Sequence, residues 1–381
     1  MQDEQAARPV SDDDAQAERA AFLRVVAALR SYEEDALEEV ARWEGNYAQL
    51  SAAHQALLAQ QPAHFADARR CVAANAAFFR ALLATYESPH VPDYLRVPPP
   101  PPPGTFVPRT APGDAEKVRY VLRNLSRDWS AEGSTERGES YAPLLAALQK
   151  HLPPVAGAEP PRLLVPGAGL GRLCVDAAAA GYAAEGNECS YFMLLTSSFV
   201  MNHLGSSGAP PLPIHPWVTN PCNHISHADA LRPHPIPDLR AGDAADAAGA
   251  RWGSLGMAAG EFCDVYGQPG YAGAFDCCAT CFFLDVSHNV VETLQVLAAA
   301  LRPGGVWVNC GPLLWHWADA HTYLATPELS IELPLDEVLR LAQAVGFELL
   351  EQGWAECGYA GNARSLMHTR YRCATWAMRR R

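Results

Sequence analysis

Apolar positions between residues 22 and 50 recur in steps of three and four: Phe22, Val25, Val26, Leu29, Tyr32, Ala36, Val40, Trp43, Tyr47 and Leu50. That spacing lines one face of a helix. A second stripe follows Pro62 through Phe65, Ala68, Cys71 or Val72, Asn75, Phe78, Phe79, Leu82, Leu83 and Tyr86, so a helical hairpin is expected over residues 21–97. With its opposite faces polar, the hairpin reads as an accessory layer packed on a main domain. Residues 1–20 have no apolar period and are expected to be an unstructured acidic tail. The unbroken prolines 98–103 cannot be helical and predict an extended linker over 98–113.

Beyond the linker, Val118, Val121, Leu122, Leu125 and Trp129 mark one helix, and a second is expected over 139–151. The pattern then alternates. A strand over 162–166 runs into a glycine loop and a helix, a short strand ends at Glu188, and a helix follows from Ser190. Residues 205–250, rich in Pro, His, Ala and Asp, read as an insertion. The core resumes with a buried strand over 275–284, a helix over 290–301, a turn over 302–305 and a strand over 306–310. A helix over 335–345 and strands near 347–350 and 371–378 complete it. This alternation predicts an α/β domain over 114–381, a Rossmann-like sheet with helices on both faces.

The 381 residues suffice for about two average domains. No stretch approaches the roughly 18 apolar residues of a membrane span, so no membrane role is expected. The net charge is −13, and residues 1–40 carry eleven acids against four bases. Such a surface repels phosphate backbones, which argues against nucleic-acid partners. Eleven cysteines, several within apolar runs, and no basic-then-apolar leader after Met1 point to reduced thiols and a cytoplasmic location, with the nucleus left open. Cys278-x-x-Cys281 falls inside a strand, and His215, His224, His227 and His234 are irregularly spaced, so no metal site is expected.

The loop Gly167-Ala-Gly169-Leu-Gly171 lets backbone approach a ligand closely, because glycine has no Cβ to obstruct it. Arg172 stands where a pyrophosphate-binding loop would shortly place its third glycine, and Glu188 at the end of the next strand can accept both ribose hydroxyls. A nucleoside without pyrophosphate is therefore favoured. Glu261 and Phe262 can hold an adenine amino group and cover its ring, or can simply form an acidic turn.

Six ordered blocks resemble one family: Arg127-Asp-Trp-Ser130, residues 164–173, Gly186-Asn-Glu188, Ala279-Thr-Cys-Phe-Phe283 with Asp285 and His288-Asn-Val290, Gly311-Pro-Leu-Leu-Trp-His316, and Ser330-Ile-Glu-Leu333. Together they resemble the carnosine N-methyltransferases, which are class I S-adenosylmethionine enzymes. The resemblance implies S-adenosylmethionine as cofactor, with contacts from Asn124, Arg127, Gly167, Gly169, Gly171, Glu188, Glu261, Phe262 and Cys277. Asn124 stands where the family favours Gln, and Glu261 where it favours Asp. It also implies an imidazole-bearing dipeptide as substrate, surrounded by Asp285, His316, Tyr359 and Tyr371, and anserine as product. Asp285 would accept a hydrogen bond from one ring nitrogen while the other attacks the methyl group, His316 and Tyr371 would orient the ring or relay its proton, and Tyr359 would close the pocket. Two other readings stay open: a histidine-containing peptide or another imidazole metabolite as acceptor, or a non-catalytic cofactor-binding regulator. The apolar faces of the N-terminal helices could serve a homodimer as well as an intrachain core.

Overall fold

The computed structural model describes residues 12–102, 110–204, 210–322 and 328–381. Its elements run α1 (Asp12–Ala48), α2 (Ala52–Leu57), α3 (Gln61–Ala84), α4 (Pro112–Trp129), α5 (Ser134–His151), β1 (Arg162–Pro166), α6 (Arg172–Ala179), β2 (Ala183–Glu188) and α7 (Tyr191–Asn202). There follow β3 (Leu212–Ile214), α8 (His227–Ala230), β4 (His234–Ile236), α9 (Ala241–Ala248), β5 (Ser254–Ala259), α10 (Phe262–Tyr266) and β6 (Phe275–Cys281). The chain ends with α11 (Val290–Ala300), β7 (Leu301–Gly311), α12 (Leu335–Ala344), β8 (Phe347–Cys357) and β9 (Tyr371–Arg380). It divides into two compact units: residues 1–133, 195–240 and 360–368 in the first, and 134–194, 241–359 and 369–381 in the second.

In the first unit, the stripe Phe22, Val26, Leu29, Tyr32, Ala36 and Val40 is buried, and Tyr32 meets Phe79 of α3 at 5.1 Å between ring centroids. The apolar face of α1, which could serve a homodimer or an intrachain core, is covered from within the chain over residues 22–40. Helix α1 begins at Asp12, which corrects the expectation of an unstructured tail through residue 20. The three alanines, Gln16, Glu18 and Arg19 there are good helix formers, and Arg19 reaches the carbonyls of Tyr94 and Arg96. Part of the expected insertion belongs to this unit. Its strands β3 and β4 pair antiparallel, and Asn75 of α3 brackets the backbone of His215, donating to its carbonyl at 2.9 Å and accepting from its N–H at 2.7 Å. Pro98 to Pro102 carry no helix or strand, and residues 103–109 of the proline-rich linker lie outside the described residues.

The second unit holds a seven-stranded sheet in the order β5-β2-β1-β6-β7-β9-β8. The ladders from β5 to β7 are parallel, and β9 is antiparallel to both β7 and β8. This is a doubly wound, Rossmann-like order that reverses between β1 and β6, with an antiparallel strand set between β7 and β8. Alternation along the strands sorts the core: Leu163, Val165, Cys277 and Ala279 pack towards Tyr141, Leu144 and Leu148 of α5, while Leu164, Cys278 and Trp307 pack towards α11 and α12. Among the boundaries that differ from expectation, α5 starts at Ser134 and β8 runs on to Cys357. Strand β6 stops at Cys281 because Phe282 turns into the left-handed region, φ +51°, and β7 absorbs the expected turn at 302–305.

Candidate active site

Parallel sheets present ligands at the carboxyl ends of their strands, and β1 and β6 flank the point where the order reverses. That edge gathers the glycine loop after β1, Glu188 at the end of β2, Glu261 after β5, residues 282–285 after β6, residues 312–316 after β7, and Tyr359 just past β8. Because β9 runs the other way, its first residue, Tyr371, comes to the same edge.

The loop after β1 is shaped for close approach. Gly167, Gly169 and Gly171 all take positive φ (+62°, +56° and +79°), and a Cβ at residue 167 would stand 2.7 Å from the Phe283 ring. Phe283 in turn meets Phe262 edge-on at 5.5 Å, so the loop and the start of α10 share one aromatic wall. Glu188 accepts from Gly169 N–H through Oε2 and from Cys189 and Ser190 N–H through Oε1, each at 2.9 Å. Burial raises its pKa against the lowering effect of those bonds. With two bonds on Oε1 and one on Oε2, the carboxylate keeps acceptor capacity on Oε2 for a hydroxyl. Glu261 caps α10, its Oε2 accepting from Cys263 N–H at 2.6 Å and Asp264 N–H at 3.1 Å. An open glycine cradle, an acid with a spare acceptor and an adjoining aromatic wall fit an adenosine-bearing cofactor.

The acceptor half centres on Asp285, which is 2% exposed in a turn after β6. Its Oδ2 accepts from Leu314 N–H at 2.9 Å, and its backbone carbonyl accepts from His316 N–H at 2.9 Å. The chain leaving β7 therefore wraps this carboxylate and brings the exposed His316 beside it. Burial raises the Asp285 pKa, with the Leu314 bond and the His316 charge pulling the other way. Tyr359 and Tyr371 meet through a residue that sequence reasoning left without a role: Phe282 lies 4.7 Å from Tyr359 and 5.9 Å, edge-on, from Tyr371. Phe282 and Trp315 both hold positive φ, an arrangement that costs a bulky residue of order 1–3 kcal/mol and tends to cluster at functional sites.

One expected contact looks different in the structure, and two others lie in the first unit. Cys277 is the third residue of β6, pairs with Leu163 and directs its Sγ at the Arg162 carbonyl (3.8 Å), away from the ligand edge. The β6 cysteine at that edge is Cys281. Asn124 and Arg127 belong to the first unit. There Asn124 is buried and donates to the Tyr120 carbonyl at 2.8 Å, and Arg127 forks onto Asp128 at 2.7 and 3.0 Å.

Comparison with known proteins gives a consistent result. A family model described as carnosine N-methyltransferase matches residues 105–381. The mouse protein named carnosine N-methyltransferase is 33% identical over 98% of this chain and 89% of its own length. A protein of that name from Schizosaccharomyces pombe is 34% identical over 69% of this chain and 70% of its own, and the Drosophila melanogaster protein named carnosine N-methyltransferase unmet is 32% identical over 87% and 73%.

Proposed function

The chain belongs to the carnosine N-methyltransferase family, and from that premise we propose that it methylates the imidazole ring of carnosine, giving anserine, with S-adenosylmethionine as cofactor. The observation that carries the reading is the buried carboxylate of Asp285 at the carboxyl edge of β6, beside His316. When bound, S-adenosylmethionine supplies a sulfonium methyl group, an electrophile for a neutral nitrogen. The glycine loop and Glu188 would hold the nucleoside end, with Phe262 and Phe283 available to cover the adenine.

Asp285 accepts from one imidazole N–H, which leaves the lone pair of the other nitrogen facing the methyl group and stabilises the imidazolium as it forms. In anserine the methylated nitrogen is the one nearer the side-chain attachment, so Asp285 holds the far one. After transfer the spare ring proton passes to Asp285, whose raised pKa favours taking it, and from there to solvent by way of His316. Phe282, Tyr359 and Tyr371 enclose the ring and fix its plane, and alignment at near-attack distance supplies much of the acceleration.

The test is transfer from labelled S-adenosylmethionine to carnosine, homocarnosine, histidine and a short histidine peptide. We expect turnover on the dipeptides, and Asp285→Asn to lower kcat/KM by about 10²-fold or more while calorimetric cofactor affinity stays within about twofold. Full turnover in that variant would remove Asp285 from the chemistry, and transfer to none of the four compounds would remove the imidazole dipeptides as substrates.

A further inference from the structure

A row of cysteines crosses four neighbouring strands of the sheet. Cys281 pairs with Cys310 across β6 and β7. Cys310 pairs with Thr375, two places from Cys373 on β9, and Cys373 pairs with Ala355, two places from Cys357 on β8. Paired residues share a face and so do residues two apart along a strand, so all four side chains leave the same side of the sheet. The Sγ atoms of Cys310, Cys357 and Cys373 lie within 4.8 Å of one another, and among the described residues no other three His, Cys, Asp or Glu side chains bring ligand atoms so close. All three are buried.

The spacing suits a shared ion. Zinc–thiolate bonds are about 2.3 Å long, so two sulfurs on one ion stand roughly 3.8–4.0 Å apart, and Cys310 Sγ lies 3.9 Å from Cys357 Sγ. The donor set is all sulfur, which selects soft cations over magnesium or calcium. Cys357 is oriented by the Glu139 carbonyl, which accepts from its Sγ at 3.4 Å.

We propose that Cys310, Cys357 and Cys373 form a trithiolate site for a thiophilic d10 cation of the zinc class. Loading displaces the thiol protons to solvent. The site adjoins the acceptor wall, since Cys357 is the cross-strand partner of Tyr371, but its occupancy can be read without any assay of methyl transfer.

The experiment is zinc K-edge absorption on the reduced full-length protein carrying one equivalent of zinc. We expect a shell of at least three sulfurs at about 2.3 Å, and loss of that zinc to a competing chelator in the triple variant Cys310→Ala/Cys357→Ala/Cys373→Ala. A shell dominated by nitrogen or oxygen would overturn the site. So would undiminished zinc retention by the triple variant, which would leave the three thiols as small apolar packing groups. Should circular dichroism show the triple variant unfolded, the wild-type spectrum decides alone.

Discussion

At Asp285 function and stability pull in opposite directions. Its carboxyl is buried and its pKa raised, so the folded state favours the protonated form more than the unfolded chain does. The stability this contributes is fully present below the unfolded carboxylate pKa of about 3.9 and is lost as pH rises through the folded value. Asn in its place mimics the neutral form, can still accept from Leu314 N–H, and cannot ionise. In ligand-free protein, Asp285→Asn is therefore expected to be more stable than wild type, with the margin widening as pH rises from about 3.9 through the folded value of the Asp285 carboxyl. Urea midpoints across that range check it. A margin constant in pH would mean that Asp285 has the same pKa folded and unfolded. Glu188, also raised by burial, is common to both proteins and cancels in the difference.

The elements that carry the site were legible to different depths. The glycine loop, Glu188 and Asp285 stand where a strand-loop-helix pattern puts them, because hydrophobic runs and glycines report local backbone needs. The end of β6 was not legible, since the left-handed turn at Phe282 is imposed by packing against Tyr359 and Tyr371 and bulky aromatics carry no sequence signal for positive φ. Nor could a count of apolar residues tell Cys277 from Cys281, which differ by four places and by opposite ends of one strand. Strand register below the site rests on a buried polar chain: Trp307 Nε1 donates to Thr280 Oγ1 at 2.9 Å, Thr280 Oγ1 donates to Asn309 Oδ1 at 2.7 Å, and Asn309 Nδ2 donates to the Ala374 carbonyl at 3.1 Å. Thr280→Val keeps the shape and strands both neighbours, so unfolding free energy should drop by about 1–3 kcal/mol per orphaned group, with Thr280→Ser restoring most of it. Equal urea midpoints for Val and wild type would show that the chain does not fix the register of β9.

For the whole molecule, the division of the chain changes what the N-terminal helices are for. A reading by sequence order treats residues 21–97 as a layer added to a complete domain, yet residues 195–240 and 360–368 fold with them. The connection is polar and buried. Asn75 is fully buried, donates to the Tyr32 hydroxyl at 2.7 Å and to the His215 carbonyl at 2.9 Å, and accepts from the His215 N–H at 2.7 Å. Sequence periodicity placed Asn75 on the apolar stripe of α3 but gave no hint of a partner 140 residues away. Asn75→Leu fits the stripe and leaves the Tyr32 hydroxyl and both backbone groups of His215 without these bonds, each loss costing about 1–3 kcal/mol. The variant should exchange backbone hydrogens faster over β3 and β4 by an order of magnitude or more, since about 1.4 kcal/mol corresponds to tenfold in a local opening equilibrium. Strands β1 and β6 of the second unit should keep their protection. Unchanged exchange at β3 and β4 would show that the segment is held by other contacts, and the N-terminal helices would then return to the role of an accessory layer.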